Sequence, residues 1–286
     1  MLKVENVSYV YQPGTPFESH ALENISFEIP NGSLTAIIGS TGSGKSTLLT
    51  MFNALSKPTS GKIFIDGYDI TAKDANLKKI RCKAGLVFQY PEHQLFEETV
   101  YKDIAFGPKN MGLSEEEIHE RVVDAMKVAG LKEKYAKRSP FELSGGQKRR
   151  AAIAGVLAMQ PEILMLDEPA AGLDPKGRDG ILAAIRRLHE ENPEMIIIFV
   201  SHSMEDVAKT AENVIVMNDG KLVMQGTVPQ VFSHSDKLKE IGLNVPQITL
   251  FAQKLRVLGY KLPEDIYTVE SAFEAIKKLA GGGKDV

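Results

Sequence analysis

With 286 residues, 43% of them hydrophobic and 25% charged, the chain has the size and composition of a globular protein with a sizeable buried core. Its 34 basic and 37 acidic residues leave a formal net charge of -3, which points to neither a nucleic-acid footprint nor an anionic-membrane patch. Cys82 is the only cysteine, which excludes an intrachain disulfide, and the longest strongly apolar run, Met195–Val200, is far short of the roughly 20 residues of a spanning helix.

The opening MLKVENVSYVY alternates like a strand and lacks an apolar signal core. Strands are predicted at Lys3–Tyr9, Leu22–Ile29 and Leu34–Ile38, the last two joined by an Asn31-Gly32 turn. A glycine-rich loop leads into a helix from Lys45 to about Leu55, stopped by Pro58, and Lys62–Gly67 reads as a further strand and turn. From about Pro91 to Gln160 the pattern is helical, with Ser114 as N-cap before three glutamates and Gly130 as a stop. Ile163–Leu166 and Met195–Val200 are continuous apolar runs, as parallel strands covered on both faces require, and a helix over Gly177–Glu190 makes a βαβ unit of them. Amphipathic helices are expected at Gln247–Leu258 and Val269–Leu279, followed by a mobile Gly281–Gly283 tail.

Gly39, Ser40, Thr41, Gly42, Ser43, Gly44, Lys45 and Ser46 spell GSTGSGKS between a strand and a helix, followed by Thr47. Triphosphate oxygens need many donors at close range, and glycines let backbone N–H groups curve around them while the helix start adds its positive end. Lys45 would then neutralise phosphate charge, and the Ser46 hydroxyl would ligate Mg²⁺. Asp167 and Glu168 follow the buried strand at the sheet end where ligands bind, placing Asp167 to hold Mg²⁺ and Glu168 to polarise an attacking water. LSGGQ, with Ser144, Gly145, Gly146 and Gln147, opens an alanine-rich helix over Lys148–Met159 and makes a second anion site. Two sites seeking the same phosphate in one chain make sense if each completes the other in a paired molecule.

These motifs, with AGLD and an isolated VSH, resemble the nucleotide-binding subunits of ABC transporters over about residues 1–230. The resemblance implies an α/β fold: a P-loop NTPase core of ABC ATPase type with an N-terminal antiparallel β subdomain and an inserted helical subdomain at about 91–160. A small C-terminal helical extension over 231–286 would follow the 1–230 ATPase domain. ATP and Mg²⁺ are the implied cofactors, with two subunits facing head to tail. By motif position, Gln89 in VFQYPE corresponds to the residue sensing Mg²⁺, His202 to the switch that contacts the γ-phosphate, and Asp174 to the loop signalling across the dimer. Asp174 also reads as a plain N-cap before Pro175, and both readings can hold. Tyr11 falls where the family stacks an aromatic on adenine.

A narrower likeness lies in YQPGTPFESHAL, FQYPEHQLFEETVYKDIAFGPKN and LSGGQKRRAAIAGVLAM, which resemble the second of two paralogous ATPases in energy-coupling factor vitamin transporters. That likeness implies a heterodimer with a second ABC ATPase, a shared transmembrane coupling protein, a substrate-binding membrane component, no nucleic acid, and a peripheral place on the cytoplasmic face of the cell membrane. Tyr90–Glu98, with Leu95 and Phe96, is then the expected dock for a coupling helix, or else a loop anchored by two core residues. An importer ATPase with another permease, for example for metal ions, is the competing assignment, and a homodimer stays open. An ABC ATPase of DNA repair would carry a long coiled coil between P-loop and signature, and the stretch between Gly44 and Leu143 has no sustained heptads. A non-catalytic module would have lost Glu168, His202 or part of LSGGQ, and all are present.

Overall fold

The computed structural model describes residues 1–281, so the end of the expected glycine tail lies outside the described residues. Ten strands run in chain order as β1 (Leu2–Tyr11), β2 (Ser19–Ile29), β3 (Leu34–Gly39), β4 (Ser60–Ile65), β5 (Tyr68–Asp69), β6 (Ala84–Val87), β7 (Ile163–Asp167), β8 (Ile196–Val200), β9 (Asn213–Asn218) and β10 (Lys221–Thr227). They form two sheets. An antiparallel one has the order β2-β1-β4-β5, and a mixed one the order β10-β9-β3-β8-β7-β6. In the mixed sheet β9, β3, β8, β7 and β6 are parallel, and only the edge strand β10 runs against its neighbour.

The parallel strands are mostly apolar because both of their faces are covered, with Thr35 in β3 and Asp167 at the end of β7 as buried polar exceptions. Ala36, Ile38, Leu164, Leu166, Ile197, Phe199, Val214 and Val216 point into one core, and the alternating Ile37, Ile163, Met165, Ile196, Ile198, Val200, Ile215 and Met217 into the other. The antiparallel sheet and helix α1 (Lys45–Phe52) close the second core. A short helix α2 (Leu77–Lys83), capped by the Asn76 side chain, delivers the chain into β6.

The first core is closed by the helical stretch expected between residues 91 and 160. It contains α3 (Val100–Met111), α4 (Glu115–Val128) and α5 (Gly145–Leu157). Ser114 and Glu117 form a reciprocal capping box at the start of α4, and Gly130 follows its end at φ 68°. Helix α6 (Pro175–Glu191) crosses between the adjacent parallel strands β7 and β8, which is the expected βαβ unit. After α7 (Met204–Thr210), the β9–β10 hairpin turns at Asp219-Gly220, both with positive φ as a tight hairpin turn requires.

Helices α8 (Val228–Phe232), α9 (Ser235–Glu240), α10 (Gln247–Val257) and α11 (Val269–Gly281) complete the described chain. Packing does not break at residue 230. Val231, Phe232, Leu238, Leu243 and Val245 belong to the main core, and a separate small cluster of Ala252, Leu262, Ile266 and Ala272 begins only with α10. Among the described residues no helix is long and apolar enough to cross a membrane.

Candidate ATP site and signature helix

Four neighbouring parallel strands deliver the candidate residues to one sheet edge. β3 ends at Gly39 and opens the P-loop, β8 leads to His202, β7 ends in Asp167 with Glu168 next, and β6 leads to Gln89. This is the carboxyl end of a parallel sheet, where the strands stop and turning backbone leaves unpaired donors to face a ligand. The residues come from distant parts of the sequence, and the strand order β3-β8-β7-β6 gathers them.

The P-loop is held by close backbone approach. Gly44, at φ 94°, forms the N-cap of α1 without any side-chain cap, and a Cβ there would lie 2.5 Å from the Ala21 carbonyl oxygen. Only glycine fits that position, and the first N–H groups of α1 are left free of a capping side chain. Lys45 is buried, and its Nζ donates to the Gly39 carbonyl at 2.9 Å and the Ser40 carbonyl at 2.8 Å. Burial lowers the Lys45 pKa, and the nearby Glu168 and Asp167 carboxylates work against that shift. Tyr11, at the end of β1, is fixed by a 2.9 Å hydrogen bond between its hydroxyl and Thr47 Oγ1 and by perpendicular packing on Tyr9, ring centres 4.8 Å apart, and the residue stays 44% exposed beside the loop.

Asp167 is buried, and burial raises its pKa although the Ser46 hydroxyl hydrogen-bonds it and Lys45 and His202 act in the opposite sense. A carboxylate taken from water with one hydroxyl partner is a good receptor for a hard cation that also binds phosphate oxygens, so Ser46 and Asp167 fit Mg²⁺. Glu168 adopts φ 49°, a left-handed backbone that is unfavourable for a non-glycine residue and recurs at functional sites. Its two carboxylate oxygens are divided between Gln89 Nε2 at 3.2 Å and His202 Nε2 at 2.9 Å.

The signature lies elsewhere, on α5, which packs against α3 and α4. Ser144 is its N-cap, and the Ser144 N–H donates to Gln147 Oε1 at 3.0 Å, while the helix starts at Gly145, three residues before the expected Lys148. A Cβ at Gly145 or Gly146 would meet nothing within 4 Å, so packing inside this chain does not require glycine at either position. Two glycines in a first helical turn weaken it, and the open space above them suits close approach by a group from outside. Asp174 caps α6 by accepting from the Gly177 N–H at 2.7 Å, as the plain N-cap reading expects.

Two arginines that no local pattern marks also belong to the site. Arg149 is only 1% exposed; it forms a bidentate pair with Glu92 at 2.9 and 3.1 Å and also donates to the Pro169 and Ala171 carbonyls. It thereby ties the signature helix to the segment after Gln89 and to the segment after Glu168. The run KRR reads as a solvated basic face, and nothing in it marks one member as buried. Arg178 on α6 pairs with Asp206 at 2.7 Å and with the Ser203 hydroxyl, which fixes the turn after His202.

A P-loop, an Asp-Glu pair at the end of a parallel strand, a histidine just after the intervening strand and a second glycine-rich helix start define an ABC-type ATPase. Residues 22–171 match the ABC transporter family. The chain belongs to this family, within the group of energy-coupling factor transporter ATP-binding proteins. It is 56% identical over 285 residues to the energy-coupling factor transporter ATP-binding protein EcfA2 of Caldanaerobacter subterraneus subsp. tengcongensis, covering 100% of this chain and 99% of the relative. It is also 56% identical to EcfA2 of Clostridium acetobutylicum over 284 residues, covering 99% of each. Among solved structures, cbiO1 of Clostridium perfringens, described as part of the ABC transporter complex cbiONQ, superposes with a TM-score of 0.74 at 40% identity, covering 90% of this chain and 97% of that one. A dimeric post-hydrolysis state of the ATP-binding cassette MJ0796 bound to ADP and Pi matches with a TM-score of 0.71 at 32% identity, covering 80% and 99%.

Proposed function

We propose that this chain binds and hydrolyses ATP in a pair with a second, paralogous ATPase and thereby powers uptake of vitamins or other micronutrients through a transmembrane coupling protein. The observation that carries the reading is the convergence of Gln89, Glu168 and His202 within hydrogen-bond distance at the P-loop end of the sheet. Glu168 would take the proton of the attacking water, and His202 and Gln89 hold its carboxylate in position. Lys45 and the α1 N-terminus bind the β- and γ-phosphates, and Tyr11 packs on adenine. Mg²⁺, held by Ser46 and Asp167 with Gln89 nearby, would neutralise charge developing on the phosphate oxygens.

Ser144, Gly145, Gly146 and Gln147 would bind the γ-phosphate of the neighbouring subunit's ATP, and Asp174 would carry the signal between the two sites. The open space over Gly145 and Gly146 supports that role, as does the dimeric state of the MJ0796 cassette. The membrane partner would seat in a groove of about 720 Å³ between the α2–β6 segment and α3, lined by Leu86, Phe88, Leu95, Phe96, Phe106 and Met159. Phe96 is largely exposed there, and the buried Asp103 Oδ2 in the same groove has no hydrogen-bond partner, so the groove suits an apolar helix carrying one basic side chain. The protein would thus sit peripherally on the cytoplasmic face of the cell membrane. The mass of the intact detergent-extracted complex tests the proposal. It should contain this chain, one non-identical ATPase and membrane subunits, and recovery of this chain free of membrane proteins would refute it.

A further inference from the structure

Phe141 is 72% exposed, yet its backbone is firmly held. It sits in the one-turn helix Pro140–Glu142 between the buried Pro140 and the buried Leu143, and its N–H donates to the Ser139 hydroxyl. Pro140 and Leu143 anchor the turn on either side, the ring faces solvent, and it stands three residues before the Ser144 cap. Lys148, in the second turn of α5, lies with its Nζ 5.7 Å from the ring centre. Phe141, Ser144 and Lys148 therefore lie close together at the start of α5: a ring, an open helix start and a cation. Three residues of chain span at most about 10 Å, so the ring stands within reach of a ligand whose terminal phosphate meets the helix start.

Within one subunit Tyr11 offers a base a single aromatic face. Its hydroxyl is tied to Thr47 and its ring packs perpendicular to Tyr9, and the residue is still 44% exposed. A base stacked on such a platform leaves its second face in water.

We propose that Phe141 covers the nucleobase bound at the neighbouring ATPase, stacking on the face left open by that subunit's own aromatic platform. This rests on the reading of the site as shared between two subunits. The signature side of the interface thereby recognises the aromatic nucleoside as well as the γ-phosphate, and Lys148 holds the ring by cation–π contact.

The test uses the full chain in its ATPase pair and compares wild type, Phe141→Ala and Phe141→Trp with two substrates: ATP, and ribose 5-triphosphate, which lacks the base. ATP-driven association of the same samples is followed by light scattering. Stacking on a base is worth about tenfold in affinity, so Phe141→Ala should raise the KM for ATP about tenfold, leave that for ribose 5-triphosphate within about twofold, and be rescued by Phe141→Trp. An unchanged KM for ATP, or an equal shift for both substrates, overturns the role of Phe141 while the shared site stands. If the wild type itself shows no ATP-driven association, the shared-site reading fails, and the role of Phe141 fails with it.

Discussion

His202 Nε2 lies 2.9 Å from Glu168 Oε1, across the boundary between two neighbouring parallel strands of the central sheet. The contact gives a residue named by one short motif a physical task. It holds, together with Gln89, the carboxylate proposed to take the proton of the attacking water.

Glu168→Gln should therefore keep ATP affinity and reduce turnover about 100-fold or more, because the amide retains shape and hydrogen bonding but takes no proton. Steady-state phosphate release alongside equilibrium nucleotide binding checks this. Wild-type hydrolysis by the variant would remove Glu168 as the base.

Lys45→Ala should weaken ATP binding by about 10- to 100-fold, the loss expected for a charge-assisted bond to phosphate. Fluorescence titration with a labelled nucleotide measures it directly. Unchanged affinity would contradict the placing of Lys45 at the phosphates.

Gly146→Ala should separate folding from function. With nothing within 4 Å of the added methyl, the isolated chain should gain about 0.5–1 kcal/mol from the lower conformational entropy of its unfolded state. ATP turnover in the pair should nevertheless fall, because the methyl projects into space needed for the neighbouring phosphate. Thermal denaturation and ATPase rate, measured on the same preparation, show whether the two move in opposite directions.

Arg149→Met should cost about 3–5 kcal/mol, since it strands Glu92 and two carbonyls in a buried setting. Arg149→Lys should restore little of the loss, because an ammonium cannot span both Glu92 oxygens and the two carbonyls. Urea denaturation midpoints provide the comparison.

Asp103 carries the pH-dependent expectation. Burial raises its pKa, against hydrogen bonds from the Phe96 and Glu97 amides. Between the ordinary carboxylate range and the raised value the folded state binds more protons than the unfolded one, so this group's contribution is fully present in acid and is lost as pH rises. Asp103→Asn should thus raise the melting temperature of the isolated chain at neutral pH, with the gain vanishing toward pH 3.8. The same variant should weaken recovery of the membrane partner, whose basic residue loses its counter-charge.

The parts of this molecule that could be read from sequence are those where one local rule decides. β8 is an uninterrupted apolar run, β7 is one up to its final Asp167, β3 is broken only by Thr35, and Ser114 and Ser144 stand directly before helices they cap. β6 has no such signature, because AGLV is four residues long and follows α2 with no breaker between them. The β9–β10 hairpin does carry a local cue, Asp219-Gly220 between two apolar runs. Helices α7 to α9, of five to seven residues, are too short to show a period. The Gln89–Glu168–His202 contact depends on strand order, which no local pattern encodes. Helix α1 stops at Phe52, short of the expected Leu55, because Ala54 turns into the left-handed region before Pro58 is reached.

Particle mass with nucleotide bound tests the central claim most directly. The Glu168→Gln chain is weighed by light scattering with and without Mg-ATP, alone and mixed with the ATPase it pairs with. Addition of ATP should raise the mass by one ATPase subunit, and Ser144→Arg should abolish the rise. A nucleotide-loaded species that stays at the mass of a single chain in both settings would contradict the shared site.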